Sequence, residues 1–245
     1  ITGSIAAFKL YDLIRYLTEC GAQTRVVHTE SAEKFVSRLT LETLTQNKVE
    51  SSLWNTSELG THHISASRWA DVAVIAPATA NFIAKLAVGL ADDLLSTELL
   101  AFQGPILIAP AMNPAMFENQ ATKENMKTLA GRGVHFIGPN QGLTACREEG
   151  LGRMAEPTEI LEALAQCFYK PKNQKKILIT LGPTRSYLDP IRFLTNHSSG
   201  KMGAALAWQS CRLGYSVTVI SGPHETALPS ATNKKQPDVA DGARL

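Results

Sequence analysis

Five short stretches carry residues that can do chemistry. The first is Pro110-Ala111-Met112-Asn113-Pro114-Ala115-Met116, directly after the apolar run at 106–109 (ILIA). Its asparagine amide can bind a carboxylate or a ring carbonyl, and methionine packs softly on an aromatic ring. The same residues also suit a plain loop with two core methionines. The second is 142–154 (GLTACREEGLGRM), a polar, glycine-containing stretch that reads as a mobile flap. Its Cys146, with Arg147 and Arg153 nearby, suits an accessible thiol. Cys20, Cys167 and Cys211 fall in helical patterns and read as inert core residues. The third is His62-His63-Ile64 before Trp69-Ala70-Asp71. A histidine is usually structural, but one ahead of a strand can serve as acid or base near neutral pH.

The last two are turns. Gly3-Ser4-Ile5-Ala6-Ala7 lies between a strand end and a helix start. Glycine permits a tight turn there, and main-chain N–H groups with the Ser4 hydroxyl suit a phosphate. An ordinary turn from strand to helix has the same residues. Pro77-Ala78-Thr79-Ala80-Asn81 follows another buried run. Thr79 and Asn81 can hydrogen-bond a polar ring edge or phosphate, or either can cap the next helix.

These stretches need a scaffold, and hydrophobic spacing supplies one. Leu10, Leu13, Ile14 and Leu17 recur at helical spacing, and Gly21 stops the helix. Residues 24–28 (TRVVH) read as a short strand, and 33–39 as helical. The runs 72–76 (VAVIA) and 106–109 are continuous apolar strands that stop at Pro77 and Pro110, as in a parallel sheet covered on both faces. Helices are expected at 83–86, 92–101, 123–130 and 159–167, and a strand at 134–137. The alternation predicts α/β architecture: a flavodoxin- or Rossmann-like open parallel sheet with helices on both faces. The polar stretch 169–175 reads as a linker. The pattern then restarts as the beginning of a second Rossmann-like α/β domain: a strand at 176–180, a helix at 200–213 and a strand at 216–221. Residues from His224 onward are polar and aperiodic, and are expected not to complete a sheet. The expected domains are 1–168, 176–245 and the linker between them. Ile1-Thr2-Gly3-Ser4 reads as a strand trimmed at its start, and the C-terminus as truncated.

Bulk properties exclude several classes. A net charge of +2 gives no basis for nucleic-acid binding. No apolar run suits a bilayer span. Four scattered cysteines without a CxxC pair argue against a metal or disulfide framework and fit a reduced cytoplasmic setting.

In order and spacing the five stretches resemble the flavin-containing cysteine decarboxylases. They most nearly resemble bacterial members that fuse a phosphopantothenoylcysteine decarboxylase to a phosphopantothenate–cysteine ligase. The likeness continues through Gly182-Pro183-Thr184-Arg185, Asp189-Pro190-Ile191-Arg192-Phe193 and 195–203 (TNHSSGKMG), and ends near Pro223. It implies FMN-dependent decarboxylation of 4′-phosphopantothenoylcysteine to 4′-phosphopantetheine, within coenzyme A biosynthesis. The flavin would oxidise the substrate's CH₂–SH, CO₂ would leave, and reduction would restore the thiol. By resemblance, His63, Asn113 and Cys146 are catalytic. His63 would assist thiol oxidation, Asn113 would hold the carboxylate, and Cys146 would donate a proton. Gly3, Ser4 and Ile5 would bind the FMN phosphate, with Thr29, Thr79, Ala80, Asn81 and Ala111 lining the flavin. Asn113, Met116 and Ala145 would meet substrate, and Asn196 belongs to the ligase half. The likeness further implies a homo-oligomer, a trimer or a multiple of trimers. CTP and Mg²⁺ are implied only for the ligase half, whose later segments have no counterpart here, so ligase activity is not expected of this chain. Two positions depart from the pattern: Arg147 stands where glycine is usual, and Phe82 where a small hydroxyl residue is common. A non-catalytic, phosphatase-inhibitor-like regulator of the same fold is the alternative, disfavoured by the presence of His63, Asn113 and Cys146.

Overall fold

The computed structural model describes residues 1–53, 67–168, 175–213, 215–224, 226, 228–229 and 233–235. The chain divides into two compact units, Ile1–Leu164 and Ala165–Leu245.

In the first unit a short 3₁₀ turn, Ile5–Lys9, leads into α1, Leu10–Glu19. Leu10, Leu13, Ile14 and Leu17 are all buried, as their spacing requires. Helix α2 is Arg38–Thr45. The helix expected at 33–39 is instead broken. A 3₁₀ turn, Glu30–Lys34, ends before it, and Ser37 starts α2 afresh by accepting a hydrogen bond from Thr40 N–H (3.4 Å). Strand β1 is Ala73–Ala78, followed by α3 (Ala80–Val88) and α4 (Leu94–Ala101). Strand β2 is Ile106–Pro110, then come α5 (Pro114–Glu118), α6 (Gln120–Gly131) and the two-residue β3 (His135–Phe136). The hairpin β4 (Asn140–Leu143) and β5 (Glu149–Arg153) precedes α7, Pro157–Phe168.

Strands β1, β2 and β3 are parallel neighbours, with Ala73 opposite Ile106 and Leu107 opposite His135. Main-chain bonds extend this sheet beyond β1. Thr2 N–H donates to Pro77 O (3.3 Å), and Thr29 N–H to Ile1 O (3.0 Å). His28 N–H donates to Glu50 O, and Glu50 N–H to Val26 O, both at 3.0 Å. Numbered along the chain, the six sheet segments lie side by side in the order 3-2-1-4-5-6, so strand order reverses between Ile1–Thr2 and β1. Two expectations need correction. The strand expected at 24–28 is reduced to one bridge, Val27 to Glu50, because each neighbour meets it over only a residue or two. Pro77 lies inside its strand, whereas β2 does end at Pro110 as expected. Proline lacks only the N–H, so β1 continues past Pro77 through an irregularity in register.

Alternation along β1 and β2 fills two cores. Val74, Ala76, Ala109 and Ala111 face α1, α2 and α7, where Leu13, Leu41 and Ile160 pack. Ala73, Ile75, Ala78 and Ile108 face α3, α4 and α6, where Ile83, Leu99 and Leu129 pack. Phe82 is fully buried in this second core, so a large side chain at that position is absorbed by packing. Cys20, read as a core residue, is exposed at the end of α1.

Glu98, on α4, puts a carboxyl group into this interior. It is 8% exposed, and its Oε1 has no hydrogen-bond partner among the described residues. Burial pushes its pKa up to about 8, with the Glu50 carboxylate adding and Arg25 opposing. The folded state therefore holds a proton that the unfolded chain releases near pH 4.5. Stability is full below that pH and falls as pH rises through about 8. The buried Ile1 amino group, whose pKa burial lowers to about 5, acts in the opposite sense, so the Glu98 contribution is read against Glu98→Gln: in urea denaturation the unaltered protein should lose about 2 kcal/mol relative to the variant between pH 6 and pH 9.

The second unit has β6 (Lys176–Leu181), the antiparallel pair β7 (Arg185–Tyr187) and β8 (Phe193–Thr195), α8 (Lys201–Arg212) and β9 (Ser216–Ser221). Residues Asn233–Lys235 form β10, parallel to β9. A polar, aperiodic segment past His224 thus still contributes one short strand, because strand pairing uses main-chain groups that a polar segment supplies equally well. Ile179, Leu181, Ala207, Val217 and Val219 make this unit's own core.

Candidate functional site at the carboxyl edge of the sheet

The reversal of strand order leaves a crevice between the ends of Ile1–Thr2 and β1, where open α/β sheets bind ligands. Thr2 ties its two sides together. Its buried hydroxyl donates to Pro77 O (2.8 Å) and accepts from Thr79 N–H (3.0 Å). Beyond it, Gly3 lets the next loop approach closely: a Cβ there would sit 2.5 Å from Ser31 Oγ. Ser4 caps the 3₁₀ turn, accepting from Ala6 N–H (3.4 Å). Thr29 Oγ1 and Ser31 Oγ lie 3.0 Å apart. Three hydroxyls and a glycine turn thus meet at one side of the crevice. Lys9, the nearest cation in sequence, is engaged with Glu156 (2.7 Å) and Met154 O (3.3 Å).

The other side is the start of α3. Thr79 is its N-cap, its Oγ1 accepting from Phe82 N–H (3.3 Å). The capping reading therefore holds for Thr79, while its hydroxyl hydrogen stays available to donate. Ala80 and the exposed Asn81 occupy the first turn. Ala111, which is buried, follows β2 and donates its N–H to Ala78 O (2.9 Å), which brings the second loop alongside the first.

Asn113 heads α5. Its Oδ1 accepts from Ala115 N–H (2.8 Å), so its Nδ2 is turned away from the helix. That Nδ2 donates to Glu148 Oε2 at 2.6 Å. Glu148 belongs to the turn of the β4–β5 hairpin, two positions from Cys146. Sequence distance between the PxMN segment and the flap is thereby closed, and Asn113 and Cys146 share one edge. Ala145 and Cys146 are exposed on this turn, and Met116 is exposed on α5. The hairpin root is fixed by Met112 N–H donating to Gly152 O (3.0 Å). Glycine is required there and at Gly150, because a Cβ would strike Met112 O at the first and Pro114 at the second.

Arg147 has φ 60°, in the left-handed region that costs a residue with a Cβ about 1–2 kcal/mol. The turn closes around it, with Thr144 N–H donating to Glu148 O and Arg147 N–H to Thr144 O, both 2.9 Å. Arg147→Gly is expected to slow hydrogen exchange of these amides about fivefold, net of the extra freedom glycine gains when the flap opens.

His63 lies outside the described residues, and so does most of the stretch leading to Trp69. Trp69 carries the Arg25 guanidinium 4.5 Å over its ring. Asn196 is in the second unit, where its Oδ1 accepts from Ser198 N–H (3.2 Å). Thr2, Ser31 and Glu148 belong to this edge but escaped the reading of the sequence. A second hydroxyl two positions after Thr29 was the available signal for Ser31. Nothing local marked Glu148. Among the described residues no group of three His, Cys, Asp or Glu can hold a metal ion, and no helix is long and apolar enough to cross a membrane.

A hydroxyl-lined turn at the switch point of a parallel sheet, with apolar Ile5 exposed beside it, marks an α/β protein of the mononucleotide-binding kind. Comparison with known proteins makes the class specific. The Flavoprotein family model matches residues 1–169, and the chain belongs to that family. A second model, the DNA/pantothenate metabolism flavoprotein C-terminal domain, matches residues 172–241. The coenzyme A biosynthesis bifunctional protein CoaBC of Haemophilus influenzae is 46% identical over 237 residues, which is 96% of this chain and 59% of that protein. Its Bacillus subtilis counterpart is 44% identical over 91% of this chain and 56% of its own length. The chain thus spans under two thirds of the curated relatives it matches. Among solved structures, a PPC decarboxylase mutant complexed with pantothenoylaminoethenethiol is 36% identical with a TM-score of 0.60, covering 66% of this chain and 92% of its own. The FMN-dependent cysteine decarboxylase SpaF is 33% identical with a TM-score of 0.59, covering 68% and 93%.

Proposed function

We propose that this chain binds FMN in the crevice and decarboxylates 4′-phosphopantothenoylcysteine to 4′-phosphopantetheine, a step of coenzyme A biosynthesis. The observation that carries this reading is the Asn113 amide joined to the flap turn that bears Cys146, beside the switch-point crevice. The donor set fits FMN. Ser4, with the main chain of Gly3 and Ile5, would take the phosphate, aided by Thr29 and Ser31. Thr79, Ala80, Asn81 and Ala111 would line the flavin. FMN, when bound, supplies reversible two-electron chemistry to the substrate's thiol-bearing carbon.

The chain's own residues orient the substrate and move protons. Asn113 Nδ2, fixed by its cap, is a donor for the cysteinyl carboxylate. Met116 and Ala145 would flank the substrate there. Cys146 Sγ–H would supply the proton that completes the product. A thiol suits that task because it gives up its proton more readily than a hydroxyl does. His63 is assigned to assisting thiol oxidation. Residues 1–168 are read as the decarboxylase domain, 169–175 as a linker, and 176–245 as the start of a phosphopantothenate–cysteine ligase domain. CTP, Mg²⁺ and Asn196 concern that second domain only. A cytoplasmic homo-oligomer, a trimer or a multiple of trimers, is the assembly proposed. Asn113 and Cys146 both stand at the site, which disfavours a purely regulatory role.

Carboxyl-labelled 4′-phosphopantothenoylcysteine, given anaerobically to the FMN-loaded protein, tests the reading. Labelled CO₂ with a matching amount of 4′-phosphopantetheine is expected. Retention of the label would refute it.

A further inference from the structure

We propose that Glu148 is a built-in stand-in for the substrate carboxylate: it latches the flap turn to Asn113 until a ligand carboxylate displaces it. This inference rests on the proposed function and adds an order of events to it.

The geometry leaves little choice of partner. Asn113 Oδ1 is committed to Ala115 N–H (2.8 Å), so only Nδ2 faces the flap, and it already holds a carboxylate at 2.6 Å. Glu148 also anchors the turn through its main chain. Its carbonyl accepts from Thr144 N–H (2.9 Å) and from Thr144 Oγ1 (3.0 Å). The tether therefore acts on the whole turn from Thr144 to Glu148, Cys146 included. A ligand carboxylate reaching Nδ2 meets the Glu148 carboxylate at the same amide. Two like charges on one donor group repel, which favours exchange over sharing. Glu148 is exposed, so once released it can move into water at little cost.

An order follows. With a carboxylated ligand in place, Asn113 is taken and the turn is untied. Once CO₂ has left, the amide is free again and Glu148 can return. Its return brings Cys146 back to the edge at the stage when the product needs a proton. Glu148 is thus a positioning residue, acting through Asn113 and the turn.

The test uses the FMN-loaded protein, Glu148→Ala and the conservative Glu148→Gln. Two unreactive ligands serve as probes: phosphopantothenoyl-serine, which keeps the carboxylate but lacks the thiol, and phosphopantothenoyl-ethanolamine, which lacks both. Calorimetry should show the serine ligand binding Glu148→Ala about fivefold tighter, Glu148→Gln in between, and the ethanolamine ligand no tighter. Without ligand, hydrogen exchange at 144–150 should be about fivefold faster in Glu148→Ala. Equal or weaker binding of the serine ligand by Glu148→Ala would overturn the displacement. Unchanged exchange would overturn the latch. Failure of the unaltered protein to bind either ligand would instead count against the proposed function, and the exchange measurement would still decide the latch.

Discussion

Gly152→Ala should reduce decarboxylation about a hundredfold while leaving the unit folded. A Cβ at Gly152 would lie well inside 3.0 Å of the Met112 carbonyl oxygen, and within 3.4 Å of Pro114 N and Asn113 C. All three are main-chain atoms, so no flexible side chain can give way. The hairpin root must lift, and the bond from Met112 N–H to Gly152 O (3.0 Å) is lost with it. Displacing the flap by about 1 Å is enough for a hundredfold loss when reacting groups must meet. Neither core includes a residue of the hairpin from Asn140 to Arg153, so the cost in stability should stay near 1–3 kcal/mol. Turnover measured beside a thermal melt and an FMN titration separates these effects. Near-normal turnover would show that the flap root does not position the chemistry.

Cys146→Ser should separate CO₂ release from formation of the saturated thiol. A serine hydroxyl holds its proton far more tightly than a thiol, and loss of a positioned general acid costs roughly 10²–10⁴-fold. Asn113 keeps its cap and its donor in this variant, so binding of the carboxylate should survive. The expected anaerobic result is one CO₂ per bound FMN, with a product two hydrogens short of 4′-phosphopantetheine and the missing two electrons retained by the flavin. Mass spectrometry of the product distinguishes the two. Full-rate release of the ordinary thiol would remove Cys146 from the proton-donor role.

Much of the scaffold was legible because it rests on local periodicity. The four apolar residues of α1 are all buried, and the runs before Pro77 and Pro110 are central strands. Elements held by few local contacts were not legible. Val27 pairs through a single bridge, Ser37 interrupts what looked like one helix, and Asn233–Lys235 joins a sheet through main chain alone. The edge residues divide in the same way. Thr79 could be read as cap or ligand from sequence, and its bond to Phe82 N–H makes it a cap without removing its donor. Glu148 could not be read at all, since its bond to Asn113 spans 35 positions and only folding brings the pair together. Arg147 was visible as a departure from the family pattern, and its φ of 60° gives the physical reason why glycine suits that position.

The most direct test of the account is an anaerobic absorbance titration of the purified chain with FMN, followed by 4′-phosphopantothenoylcysteine. A saturable bound-flavin spectrum at one FMN per chain, weakened by Gly3→Ala, is expected, with CO₂ release when substrate is added. A chain that cannot be loaded with FMN, or one that binds FMN yet leaves the substrate intact, would contradict it.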